Sequence, residues 1–131
     1  MYYDYMSFVI NKLKEYNNLI DEDFLPINST VEKIDKFKIR PAITYGNNVD
    51  WSNIRREEDW ILTMQIFVTH GNYLDLRQFA NELRKTIAKY CCSTEIRGIL
   101  FSLGAISFST QFESDYKSMS ILMEVNSKEV I

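Results

Sequence analysis

A change of hydrophobic period in the middle of the chain limits what it can fold into. Trp60, Leu62, Met64, Ile66 and Val68 take alternate positions, with Ile61, Thr63, Gln65 and Phe67 between them. A period of two sets the first group on one face of a strand and leaves a mixed, half-covered second face. His70-Gly71-Asn72 then breaks the chain and offers a helix cap. Beyond it Leu76, Phe79, Ala80, Leu83, Ile87 and Tyr90 recur three and four apart, the stripe of an amphipathic helix. Asp75 stands near its first turn and Arg84, Lys85 and Lys89 near its last, as the helix dipole favours. Residues 60–90 thus predict a strand, a turn and a helix that supply most of one small core, with Phe79 and Leu83 inside it.

The remaining segments fit around that unit. Phe8, Ile10, Leu13, Tyr16, Leu19 and Ile20 give an imperfect helical stripe over residues 7–19, after a loose start at residues 1–6. Residues 21–35 are polar, contain Pro26, and read as a connection with one short turn. Phe37, Ile39, Ile43 and Tyr45 alternate with polar residues, and Pro41 demotes that strand to an edge. Residues 46–59 read as a long hairpin loop with turn residues and mixed charge. Residues 99–103 are apolar, Gly104 marks a bulge or bend, and Ile106, Phe108 and Phe112 then point inward. Residues 113–116 suggest a turn into Met119, Ile121, Met123 and Val125, which alternate again, and residues 127–131 read as frayed. The expectation is one α+β domain over residues 1–131. A single mixed, mainly antiparallel sheet of about four strands carries an N-terminal and a central helix in α-β-β-α-β-β order.

A chain of 131 residues is long enough to bury a real core, and 46% hydrophobic with 25% charged residues argues against disorder. The formal net charge of -3 argues against a general nucleic-acid binder. No apolar run approaches the ~20 residues of a membrane span. The opening Met1-Tyr2-Tyr3-Asp4-Tyr5 lacks a basic stretch, so no signal peptide is expected. Cys91 and Cys92 are adjacent, which suits neither a disulfide nor a zinc site, and they read as reduced thiols at a helix end.

The search for chemistry finds no nucleophile elbow, phosphate-cradling glycine loop or His-Glu-x-x-His pattern. His70, the single histidine, has no evident partner. Asp21-Glu22-Asp23 lacks the spacing of a calcium loop. Glu57, Glu58 and Asp59 could hold a cation, but Arg55 and Arg56 beside them argue for a salt-bridged or solvated face. No catalytic residue, cofactor or metal is expected. The candidate site is one of contact, at Trp51, Arg55, Arg56, Glu57 and Glu58, because tryptophan and arginine are enriched at interfaces.

Three segments carry a resemblance: Asp59-Trp-Ile-Leu-Thr-Met-Gln-Ile-Phe-Val, then Leu76-Arg-Gln-Phe-Ala-Asn-Glu-Leu-Arg, then Phe108-Ser-Thr-Gln-Phe-Glu-Ser-Asp followed by residues 119–125. In this order the chain, over residues 7–125, resembles the tail-terminator and tail-completion proteins of tailed bacteriophages. The likeness lies in element order and hydrophobicity rather than in an invariant motif, and the long 21–35 connection departs from it. It implies a structural virion protein, made in the host cytoplasm, that assembles as a homo-oligomeric ring, commonly a hexamer. The ring would cap the tail tube and join it to the head connector, with DNA passing through unread. Other readings are a head-completion or minor capsid protein, or a small cytosolic adaptor that binds a partner by its sheet edge.

Overall fold

A computed structural model describes residues 2–27, 37–45, 49–50, 57–68, 73–112 and 117–130. Helix α1 (Tyr2–Asn17) leads through a 3-10 turn (Asp21–Asp23) to strand β1 (Lys38–Thr44), and the two-residue β2 (Val49–Asp50) precedes β3 (Glu57–Val68). Helix α2 (Tyr73–Tyr90) follows, then β4 (Ser93–Ile96), β5 (Ile99–Phe112) and β6 (Lys117–Glu129). The strands form one sheet in the order β1-β3-β6-β5-β4, with β2 beside β3. Every strand pair is antiparallel. The α+β class stands, but the sheet has more strands than the expected four, because β2 and β4 went unread.

Period two sets the core. Trp60, Leu62, Met64, Ile66 and Val68 of β3 are buried on one face, beside Ile39 of β1 and Met119, Ile121, Met123 and Val125 of β6. Leu76, Ala80, Leu83 and Ile87 of α2 close over them, and from α1 Tyr5, Val9 and Leu13 do the same. Each fully buried side chain of this size contributes about 1.5–3 kcal/mol, which is what fixes both helices to the same face. Phe79 is only half-buried, stacked on Phe37 with ring centroids 4.8 Å apart.

Several boundaries differ from the sequence reading. The first residues are not loose: α1 begins at Tyr2 and Tyr5 is fully buried. Its ring stacks on Phe101 at 5.1 Å, and its hydroxyl donates to the Cys91 carbonyl at 2.7 Å. That carbonyl lies just past the end of α2, where helical donors run out, so α1 satisfies the end of α2. Asn18, at φ 54, ends α1 in the left-handed region that asparagine tolerates. Strand β3 begins at Glu57, within the span read as loop, because β2 and β6 flank it there. The C-terminal segment is strand as far as Glu129, and the Val130 N–H donates to the Gly98 carbonyl. The turn read at residues 113–116 lies outside the described residues.

Candidate functional site

An open sheet has two edges, and this one treats them differently. The β1 edge is defended. The Leu25 N–H donates to the Ile39 carbonyl at 2.7 Å, so Ile39 turns its backbone groups away from β3, and two residues on Pro41 does the same. Proline therefore stands where an outward N–H would otherwise be offered, at no cost to the β1–β3 ladder. Lys38 and Arg40 add charge to the edge, which discourages a foreign strand.

The β5 edge is open. Strand β4 covers β5 only from residue 99 to 102. The Leu103 N–H still donates to the Cys92 carbonyl at 2.8 Å, which shows that Leu103 faces the β4 side. Between Leu103, opposite Val125, and Ile106, opposite Met123, β5 holds one extra residue, a β-bulge at Gly104-Ala105. Past it the alternation sets the N–H and C=O groups of Ile106, Phe108 and Thr110 outward, while Ser107 and Ser109 bond to β6. No described strand pairs with them. Residues 104–112 carry no charge and no proline, and Ala105, Ser107, Phe108, Ser109 and Thr110 are all exposed. Such an edge is a ready template for another strand.

Helix α2 runs beside this edge. A groove of about 450 Å³ lies between them, walled by Leu74, Arg77, Gln78 and Asn81 and floored by Phe108, Thr110 and Met119. The sequence pattern pointed Phe108 inward. It does lie on the helix side of the sheet, but it stays 42% exposed because α2 does not extend over it. Leu74 is 60% exposed across the groove. Two guanidinium groups mark the helix wall. The Arg84 guanidinium sits 6.0 Å from the Phe108 ring centroid, held by the Asn81 side-chain oxygen at 3.3 Å, and Arg77 is exposed about two turns nearer the start of α2. Neither makes an ion pair among the described residues. The groove thus offers open backbone, two apolar patches and positive charge together.

The contact residues expected from sequence fall elsewhere. Trp51, Arg55 and Arg56 lie outside the described residues, as does His70. Glu57 and Glu58 are neighbours on β3, and period two sends them to opposite faces. Glu58 faces α1 and accepts a hydrogen bond from the Tyr2 hydroxyl. Burial, and then that carboxylate, push the Tyr2 hydroxyl above its ordinary range. Glu57 is exposed on the other face, where the Asn126 amide donates to it at 3.0 Å and to Asp59 at 2.8 Å. Cys91 is buried and Cys92 exposed, both as free thiols, and burial pushes the Cys91 thiol up to about 11.

Sequence reasoning passed over the β5 edge because its alternation reads as an ordinary half-buried strand. One signal was available: residues 104–112 are nine in a row with no charge and no proline. No protein family matches the chain, and no curated protein sequence matches it.

Proposed function

We propose that the protein is a structural assembly subunit of the kind its sequence resembles, a tailed-phage tail terminator. In this reading it forms a ring that caps the tail tube, joins it to the head connector and lets DNA pass, working through contact rather than catalysis. The observation that supports an assembly role is the long, uncharged, exposed free edge of β5 beside an apolar groove, a surface suited to holding a neighbouring protein such as the tail tube or head connector. A chain that stays alone usually blunts such an edge with charge, proline or a covering segment, as β1 does here. A ring needs a heterologous interface whose rotation closes, so two different patches of each copy must meet. The asymmetry of the two edges favours a second reading, a small adaptor that takes one partner strand on β5 and stays monomeric.

Mass in solution separates them. Light scattering on the protein alone, and on its mixture with tail-tube protein, should give several times 15.5 kDa for the ring. A mass of 15.5 kDa at every concentration and in both samples would remove the ring and leave the adaptor.

A further inference from the structure

We infer that the groove beside β5 receives an extended, acid-bearing strand of a different protein rather than a second copy of this chain. The inference rests on the assembly reading above and names the partner chemistry of its main surface. An incoming strand would pair with the outward backbone groups of Ile106, Phe108 and Thr110. Its alternate side chains would then stand on the helix side, over the groove. An apolar side chain there covers the exposed parts of Phe108 and Leu74. A carboxylate two residues along comes within reach of Arg77 or Arg84, and charge-assisted, fork-shaped hydrogen bonds to arginine are the strong kind. The described lining contributes no carboxylate of its own.

A second copy fits less well on either edge. Antiparallel pairing of β5 with itself through Phe108 keeps the faces matched. It also places two Arg84 guanidiniums, each 6.0 Å from its own Phe108 ring, on the two sides of one axis, with an Arg77 behind each. Like charges facing across a new ladder oppose it. Pairing β5 with the β1 edge of another copy meets Pro41, which has no N–H to give, and Leu25, which already holds the Ile39 carbonyl.

The test uses two fluorescein-labelled ten-residue peptides in which every second residue is threonine, the residues between alternating valine with glutamate in one and valine with lysine in the other, so that one face carries both the apolar and the charged side chains. Each is titrated into the full chain at constant ionic strength, followed by anisotropy and by backbone amide NMR. The glutamate peptide should bind at least ten-fold more tightly and move the amides of Ile106, Phe108 and Thr110. Thr110→Pro removes one outward N–H while sparing the β5–β6 ladder, and it should weaken binding ten-fold or more at unchanged mass. Arg77→Glu, on the exposed helix wall, should reverse the preference between the peptides even if the proline variant fails to fold. Equal affinity for both peptides, or amide shifts confined to other elements, overturns the inference. So does a Thr110→Pro variant that folds but loses oligomeric mass, since β5 would then join copies. A wild-type protein that assembles yet ignores both peptides removes this inference and leaves the ring reading. A monomer that takes the glutamate peptide at β5 does the reverse.

Discussion

Tyr5 is the side chain whose removal tests the architecture most directly, because it ties three elements together. It is fully buried, stacks on Phe101 of β5 at 5.1 Å, and meets Trp60 of β3 edge-on at 6.0 Å and 87°. Its hydroxyl donates to the Cys91 carbonyl past the end of α2. Truncating a buried aromatic ring costs roughly 3–5 kcal/mol from lost transfer and the cavity left behind. Tyr5→Phe keeps the ring and leaves the Cys91 carbonyl without that donor, an expected cost of about 1–3 kcal/mol. Tyr5→Ala should therefore lose at least about twice what Tyr5→Phe loses. Equilibrium urea unfolding followed by circular dichroism measures both, and an unchanged slope with denaturant would place the effect in the folded state. A loss below about 1 kcal/mol for Tyr5→Ala would show that the first turns of α1 are not docked. Equal losses for the two variants would show that the hydroxyl, not the ring packing, carries the energy.

Three further outcomes follow from the same packing. Leu83→Ala, at a fully buried position on α2, should cost about 2–5 kcal/mol in urea unfolding, and Phe79→Ala, half-buried against Phe37, clearly less. Tyr2→Phe, which removes the hydrogen bond to Glu58, should cost about 0.5–1.5 kcal/mol by the same measurement. Burial holds the Cys91 thiol up to about 11 against an ordinary 9.0, so the folded chain keeps a proton that the unfolded chain releases. That contribution is complete below pH 9 and is lost as pH rises towards 11; Tyr5, also raised by burial, acts in the same direction at higher pH. The urea midpoint should fall over that window, and less steeply in Cys91→Ala.

The elements legible in the sequence were those whose period is set by a single buried face. Strand β3, helix α2 and the alternating part of β6 show their faces in the order of their residues, and Pro41 marked β1 as an edge for a steric reason that context did not change. The start of α1 was misjudged although the signal was there. Tyr5, Val9 and Leu13, four apart, are the buried set, but Tyr5 precedes the span read as helix, and the stripe through Phe8, Ile10 and Tyr16 takes in side chains that are only partly buried or exposed. Strand β4 was missed because four residues, half of them exposed, show no apolar run. Its hairpin was written in Arg97-Gly98, both at positive φ, a two-residue turn matched to strand twist. The groove was beyond reach for another reason. That Phe108 lies on the helix side is a property of period, but that it stays uncovered depends on where α2 lies, which no local pattern records.

The bulge at Gly104-Ala105 bears on how this chain could vary in length. Two residues there face Glu124 alone, so losing one of them would iron out the bend yet leave Ile106 opposite Met123 and every later side chain on its present face. The close approach is permissive as well, since a β-carbon on Gly104 would come only to 3.5 Å from the Glu124 carbonyl oxygen, an ordinary contact. A deletion between residues 106 and 108 would instead turn the rest of the strand over, trading Phe108 for a serine at the groove. Insertions and deletions in related chains should therefore collect at residues 104–105, the one point on β5 where length can change while the outer half keeps the face it offers to a partner.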